Sequence, residues 1–239
     1  MKQNLTAMCM VCISLLLVSC VFAENQGVVK ETRPVAPFNS IRVSSGIFLY
    51  LVQGTENSAV VEADESIIDR VVVESTNGDL RISYNQAKGL FRRNPNRGKI
   101  SVYVTFTRLE ALQASSGAQV QSEGMLLLDV LQLTSSSGAA CRLEADCYSL
   151  NMEASSGGHI NLKGAVRELT AKASSGAHIN AADLVAEEVS AEASSGGHIN
   201  VFCTSEVVAS ASSGGHVNVY GEGLMRSVSQ SSGGSVKRR

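Results

Sequence analysis

The chain has 239 residues, of which 44% are hydrophobic and 18% are charged, and its formal net charge is −2 at pH 7. This length can bury a sizeable core, and this composition excludes an intrinsically disordered polymer. The nearly balanced charge gives no global attraction to nucleic acid, so a nucleic-acid partner is not expected.

The first 23 residues have the composition of a signal peptide. Residues 8–22 form an apolar stretch after Lys2, which is too short to span a bilayer as a mature helix. Two cleavage sites compete. The sequence Leu-Val-Ser-Cys at 17–20 resembles a bacterial lipobox and would leave Cys20 as a lipidated first residue. Val-Phe-Ala at 21–23 fits ordinary signal peptidase, which would cut after Ala23. Both alternatives predict a protein that works outside the cytoplasm.

Residues 24–37 are polar and contain prolines, which predicts a tether. The segment that follows alternates apolar and polar residues and is rich in Val, Ile and Tyr, which is typical of strands. Asn77-Gly78 is a turn signal between two of these strands. The predicted strands lie within 38–53, 59–63, 70–74, 79–84 and 99–106.

Residues 85–98 interrupt the strand pattern and predict an exposed basic loop. Its arginines Arg92, Arg93 and Arg97 are candidates for contact with an anionic glycan or a lipid headgroup. The alternative is a loop that is merely solvated, which is the commoner fate of exposed basic segments.

From residue 109 onward the chain is dominated by a repeat. Ser-Ser-Gly occurs seven times between Ser115 and Gly233, and successive glycines are 21, 19, 19, 20, 18 and 19 residues apart. A fixed period of this length is the signature of a solenoid in which each repeat forms one coil. The sequence therefore predicts an all-β protein, a single parallel β-helix over residues 38–239 with coils of about 19 residues. The general preference for right-handed crossovers predicts a right-handed helix.

Apolar residues occupy alternate positions on both sides of each repeat glycine, so side chains should alternate inward and outward along the coil. A straight strand of this length would not fit one edge of a coil, so Ser-Ser-Gly is the predicted corner. By the same alternation the second serine of each repeat should point inward. These serines are Ser116, Ser137, Ser156, Ser175, Ser195, Ser213 and Ser232.

Four repeats continue past the glycine with a histidine and an asparagine, and both should point outward. This outward ladder comprises His159, Asn161, His178, Asn180, His198, Asn200, His216 and Asn218. Imidazoles on adjacent coils would lie about 5 Å apart, so the four histidines are candidates for a metal site. Zinc needs three or four His, Cys or carboxylate ligands, and asparagine is a poor one. A solvent-facing ladder inherited by duplication is the favoured alternative, and no cofactor is expected.

Four neighbouring imidazoles also suggest a response to pH near their ordinary pKa of about 6.5.

Three cysteines, Cys141, Cys147 and Cys203, lie in the repeat region without the spacing of a metal site. Cys141 occupies a column filled elsewhere by Ile or Val, so a structural role as a small core residue is expected.

The repeat region has no clear catalytic site. Ser155 and His159 share a face, as a nucleophile and its base would, but no carboxylate orients the histidine. A polysaccharide-active β-helix enzyme needs paired carboxylates on one face. The acidic residues here are scattered instead, with Asp129, Asp146 and Asp183 placed in turns between strands. The sequence therefore predicts that the protein is not an enzyme.

Several segments resemble the family of putative auto-transporter adhesins with a head GIN domain. The likeness rests on Phe-Asn-Ser-Ile at 38–41, Ser-Gly-Ile at 45–47, Asn-Gly-Asp-Leu at 77–80 and the recurring Ser-Gly-small-x-Ile-Asn of the repeats. It covers residues 38–234 and implies a β-helical solenoid, export and an adhesive role, with no catalytic or binding residues to carry over. The repeats are followed only by a few residues ending in Lys-Arg-Arg, so a translocating barrel after them is not expected.

Together these observations predict an exported, envelope-anchored, non-enzymatic solenoid that binds a glycan or protein partner. An outer-membrane lipoprotein, the cell surface or the periplasm of a Gram-negative bacterium are the expected locations. An N-terminal lipid on Cys20 would provide the membrane association. The alternatives are a polysaccharide-active β-helix enzyme and an envelope protein that binds metal through the histidine ladder.

Overall fold

The computed structural model describes residues 27–85 and 98–239. Apart from one short 3-10 turn at Ile68–Arg70, the regular structure in these residues is entirely β. None of the described residues belongs to a helix that has the length and apolar character needed to cross a membrane. The strands are β1 (Val28–Arg33), β2 (Ser40–Val43), β3 (Phe48–Gln53), β4 (Ser58–Asp64), β5 (Val71–Thr76), β6 (Asp79–Tyr84), β7 (Ser101–Phe106), β8 (Ala111–Ala114), β9 (Gln119–Ser135), β10 (Ala140–Ala154), β11 (His159–Ala173), β12 (His178–Ala193), β13 (His198–Ala211), β14 (His216–Tyr220), β15 (Leu224–Gln230) and β16 (Ser235–Arg238).

Each Ser-Ser-Gly repeat forms a tight β-turn at the predicted corner. In one such turn the backbone N–H of Gly158 donates to the Ser155 carbonyl at 2.8 Å. Its two central residues, Ser156 and Gly157, have φ of 49° and 70°. Positive φ at both central positions is typical of a type I′ turn, where glycine is favoured because it has no Cβ. The other repeats also have positive φ at these two positions, as does the earlier Ser-Ser-Gly at 44–46.

Backbone hydrogen bonds join the corners of successive coils. The N–H of Gly157 donates to the Ser175 carbonyl of the next coil at 3.2 Å, and the N–H of Gly176 donates to the Ser195 carbonyl at 3.1 Å. The same bond recurs at every corner from Gly46 to Gly214. The left-handed serine conformation therefore has a function in the fold, because it presents a carbonyl to the preceding coil where an extended backbone would not.

The coils are parallel and in register on both sides of this line of corners. Before the corner Ala154 pairs with Ala173, and after it His159 pairs with His178. The strands β10 to β13 are 14 to 16 residues long and pair with a neighbouring coil on each side. This arrangement confirms the predicted β-solenoid with coils of about 19 residues. The right-handed sense stays a prediction.

The apolar columns predicted from the repeat form one continuous core. Ile160, Ile179, Ile199 and Val217 lie side by side on successive coils, and each is at most 2% exposed. Burying one such side chain contributes about 1.5–3 kcal/mol. Close to the corner the inward column is made of alanine, because the two sides of the coil converge there. These alanines are Ala114, Ala154, Ala173, Ala193 and Ala211.

The predicted inward orientation of the second serine is wrong. Ser156 and its counterparts are exposed, and the buried residues on either side of them are Ala154 and Gly158. The left-handed backbone causes the difference, because strict alternation of side chains holds only for extended residues. The buried hydroxyl close to a corner belongs to Ser135, whose Oγ donates to the Ala139 carbonyl at 2.9 Å.

The N-terminal end of the solenoid departs from a simple parallel coil. The first coil, β2 and β3, stacks in parallel on β8 and β9. Beyond it, β7 pairs in parallel with β3, and then β4 and β1 follow in antiparallel order. On the other side of the corner β6 pairs in parallel with β2. β5 pairs antiparallel with β6, and the predicted Asn77-Gly78 turn joins the two strands. Antiparallel strands thus cover this end of the β-helix that the sequence predicted over residues 38–239. One of them, β1, lies inside the predicted tether 24–37, so residues 28–33 are a strand.

The three cysteines of the described residues are free and buried. Cys141 lies between Val120 and Ile160 and is 1% exposed, which confirms its predicted role in the core. Burial raises the pKa of the Cys141 thiol to about 12 and that of Cys147 to about 11. Both thiols are therefore protonated and unreactive at neutral pH.

A substitution at the inward corner position tests this packing. A Cβ on Gly197 would lie 2.3 Å from the Ala173 carbonyl oxygen of the preceding coil, which is far inside van der Waals contact. We expect Gly197→Ala to lower the free energy of unfolding by about 1–3 kcal/mol, as overpacking does. Urea denaturation measures this. The control Ser194→Ala, on the outer side of the same corner, should change stability by less than about 0.5 kcal/mol. Equal stabilities for the two variants would contradict the tight stacking of corners.

Candidate functional site: the histidine–asparagine ladder

The histidines lie two residues after each corner glycine, at the first position of β11, β12, β13 and β14. Each directly follows the buried corner residue, so the extended backbone turns its side chain outward. The parallel register places His159, His178, His198 and His216 next to one another on four successive coils. The structure thus brings together the side chains that the sequence predicted to form the outward ladder.

The four imidazoles stack face to face. The ring centroids of His159 and His178 are 5.2 Å apart, those of His178 and His198 4.8 Å, and those of His198 and His216 4.9 Å. The planes are nearly parallel for the first two pairs, at 5° and 4°, and tilt by 22° in the third. The ring edges, which carry the nitrogen atoms, are therefore the parts available to a partner.

A second row runs beside the imidazoles and consists of asparagines. Asn161, Asn180, Asn200 and Asn218 are in register, and all four are half-buried. The Asn218 Nδ2 donates to the Asn200 Oδ1 at 2.9 Å, so neighbouring amides bond along the solenoid axis. Each amide that bonds in this way keeps one further N–H and one oxygen lone pair for a ligand.

Within the histidine row, His198 has a lowered pKa. Burial lowers the pKa of His198, and the neighbouring charges on His178 and His216 lower it further. Each cause opposes protonation, because a charged imidazole here would lose solvent and face a like charge on either side. His198 is thus a neutral hydrogen-bonding group at pH 7.

The stacked geometry does not suit a shared metal ion. Two nitrogen ligands of one zinc ion lie about 3.3 Å apart, since each Zn–N bond is about 2.0–2.1 Å. The lone pairs lie in the ring planes, so parallel rings about 5 Å apart direct them side by side instead of toward one point. Across residues 27–85 and 98–239, no group of three His, Cys, Asp or Glu side chains is arranged to hold a metal.

The geometry around Ser155 and His159 gives no support to nucleophilic catalysis. The two residues flank the turn, and no hydrogen bond between them is present. In the described part of the chain no carboxylate bonds to any of the four imidazoles. Asp129, Asp146 and Asp183 lie within the continuous strands β9, β10 and β12, which corrects their predicted placement in turns.

The asparagine row continues beyond the four predicted rungs. Arg142 pairs with Asn161, Gln121 pairs with Arg142, and Tyr50 pairs with Gln121. Tyr50 in turn stacks on Tyr103, with ring centroids 5.0 Å apart. This extension was not predicted from the sequence. The column two residues after each histidine position would have revealed Gln121 and Arg142, but the tyrosines precede the regular repeats and carried no such signal.

Arg92, Arg93 and Arg97 of the basic loop lie outside the described residues, and so does Cys20. Their assigned roles in partner contact and lipidation therefore stay predictions.

Comparison with known proteins gives a family and a fold. Residues 37–223 match the model of the family described as "Putative auto-transporter adhesin, head GIN domain". No protein with a curated description matches the sequence.

Solved structures of bacterial proteins share the architecture. A putative adhesin from Bacteroides fragilis has a TM-score of 0.80 at 19% identity, over 90% of this chain and 98% of its own. A putative adhesin from Parabacteroides distasonis has a TM-score of 0.72 at 18% identity, with the same coverages. A putative lipid binding protein from Parabacteroides distasonis reaches 0.64 at 16% identity, again over 90% and 98% of the two chains. The TM-scores establish a common fold, and at identities this low the similarity concerns the fold alone.

The depressed pKa of His198 makes stability depend on pH. The folded state binds fewer protons than the unfolded state, in which the pKa is close to 6.5. The contribution of neutral His198 to the free energy of unfolding is therefore complete above about pH 6.5. It is lost as the pH falls through the lower pKa that His198 has in the folded state. We expect Tm to be lower at pH 5 than at pH 7.5, and the difference to shrink in His198→Gln. The control is His159→Gln, which leaves both stacking neighbours of His198, His178 and His216, in place. A His198→Gln variant with the wild-type pH dependence would contradict this assignment.

Proposed function

We propose that this chain, which belongs to the family described as "Putative auto-transporter adhesin, head GIN domain", is an exported, non-enzymatic module that binds an extended partner through the histidine–asparagine ladder. The observation that carries this proposal is the ladder itself. One chemical pattern repeats on four successive coils at intervals of 4.8–5.2 Å.

A repeated row suits a partner with a repeat of its own. A catalytic centre gathers different groups around one reacting atom, whereas this surface offers the same imidazole edge and the same amide on every rung. Hydroxyl and amide groups of a glycan chain or an extended protein segment are natural hydrogen-bond partners for both. Several weak contacts along one rigid row add up to useful affinity, as in other multivalent binding.

The stacking of the ladder also favours binding. The imidazoles are already ordered by their neighbours, and at least one pair of amides is already bonded. Fewer side chains must therefore lose freedom when a partner docks, which reduces the entropic cost of association. The adhesive family name and the predicted signal peptide support an extracellular or surface location. Lipidation at Cys20 would hold the solenoid at the envelope.

An array of glycans and extracellular matrix proteins tests the binding role. We expect the purified protein to bind at least one immobilised class, and the double variant His178→Ser, His198→Ser to bind it about tenfold or more weakly, since each lost hydrogen bond contributes about 0.5–1.5 kcal/mol. The matched control is Lys172→Ser, Glu192→Ser, which removes two outward side chains before the corner. Equal binding by the ladder variant and wild type would refute the proposal.

The envelope anchor has a separate test. Cells that express the protein and grow with a labelled fatty acid should incorporate the label into wild type but not into Cys20→Ala, because only the thiol of the lipobox cysteine becomes the lipid attachment point. Ser19→Ala, which keeps that cysteine, is the control. Equal labelling of wild type and Cys20→Ala would show that the anchor is absent or lies elsewhere.

A further inference from the structure

One stretch of strand edge is left open beside the first coil. β9 pairs with β3 only at residues 119–122 and with β8 only at residues 132–135. Between them, residues 123–131 have no strand beside them on this side anywhere in the described chain. The equivalent stretch of β10 differs, because it pairs with β9 on one side and β11 on the other.

The opening arises because the first coil is incomplete. After Gln53 the chain leaves the coil at Gly54, whose N–H donates to the Phe106 carbonyl at 2.9 Å. The chain then forms β4 to β7 and returns to the solenoid through the short connection 107–110, which links β7 to β8. That connection makes one backbone hydrogen bond to β9, from the Gln132 N–H to the Glu110 carbonyl at 2.8 Å. The rest of this edge of β9 therefore faces a groove.

A side chain already occupies one point of this edge in the manner of a strand. The Leu127 N–H donates to the Gln53 Oε1 at 2.7 Å, and the Gln53 Nε2 donates to the Leu127 carbonyl at 2.8 Å. A primary amide has the donor and acceptor of a peptide group, so Gln53 bonds Leu127 as a neighbouring backbone would. The N–H and carbonyl of Leu127 thus point into the groove with the geometry of strand pairing.

The surface of the groove shows what else an occupant would meet. Its volume is about 830 Å³, within the range of pockets that bind ligands. Leu127 and Val130 are 64% and 52% exposed beside it, which is unusual for large aliphatic side chains on a sheet. Asp129 and Asp146 also line it, and neither has an ion-pair partner among the residues that the structure describes. Arg108 is the one basic residue of the described chain that lines the groove, and it pairs with Glu110 at 2.6 Å.

We propose that this groove binds an extended polypeptide segment of a partner, which adds as a strand to residues 123–131 of β9. The partner supplies aliphatic side chains to Leu127 and Val130 and a lysine or arginine to Asp129 and Asp146. A peptide is favoured over a glycan because the open edge offers backbone donors and acceptors at strand spacing, and strand addition is an established mode of peptide recognition. The open edge spans about 30 Å at about 3.3 Å per residue. This site is separate from the ladder and does not depend on its role.

A designed peptide tests the proposal directly. The probe is a capped nine-residue peptide that alternates valine with lysine or threonine, and its matched control is the same peptide N-methylated at every residue. We expect saturable binding of the first peptide by calorimetry and no binding of the second, which lacks the N–H donors. Hydrogen–deuterium exchange should show new protection in residues 123–131. Gln53→Ala frees the groups of Leu127 and should tighten binding about fivefold, while the control Gln121→Ala, on a residue paired on both sides, leaves it unchanged.

Several results would overturn the proposal. Equal binding of the N-methylated peptide would show that the backbone edge is not involved. Protection in the ladder strands instead of residues 123–131 would place the contact elsewhere. Absence of binding to both wild type and Gln53→Ala at millimolar peptide would mean that the edge accepts no strand. If sedimentation shows a dimer whose residues 123–131 are protected without peptide, the occupant is a second copy of the chain and the assignment to a partner peptide is wrong.

Discussion

The hydrogen bond between the corners of neighbouring coils is the constraint on which the rest of the structure depends. At the corners from Gly46 to Gly214 a glycine N–H reaches the serine carbonyl of the next coil, at 3.0–3.2 Å. The bond requires the serine to adopt a left-handed backbone, which costs a non-glycine residue about 1–2 kcal/mol. Every corner nevertheless contains serine at this position with φ between 47° and 66°. The stacking bond, together with the buried columns on either side, offsets that cost on every coil.

Register follows from this constraint, and the surface follows from register. Once the corners align, Ile160 lies against Ile179 inside the coil and His159 lies against His178 outside it. The imidazole stack and the asparagine row are therefore consequences of the same geometry that builds the core. The groove beside β9 is the complementary case. It lies where the first coil is interrupted after Gln53, so the backbone groups that other coils use for pairing stay open there.

The repeat made much of the architecture predictable from sequence. Its spacing predicted the solenoid, its apolar columns predicted residues such as Ile179 in the core, and its alternation predicted the outward ladder. Alternation failed at Ser156, because it assumes an extended backbone and the turn is left-handed. The antiparallel strands β1, β4 and β5 could not be predicted as a cover for the first coil, since their pairing joins residues far apart in sequence. The stacking of the imidazoles and the amide of Gln53 at Leu127 likewise depend on three-dimensional positions that no local pattern encodes.

Native-state hydrogen exchange at the corner glycines tests the central claim most directly. Residues Gly157, Gly176 and Gly196 each donate an N–H to the next coil near the middle of the solenoid. If these bonds hold the coils in register, their amides will exchange only through global unfolding, with opening free energies equal to the free energy of unfolding measured in denaturant. Exchange through local opening, at free energies well below the global value and comparable to those of ordinary surface turns, would show that the coils are held together without the corners and would contradict the account.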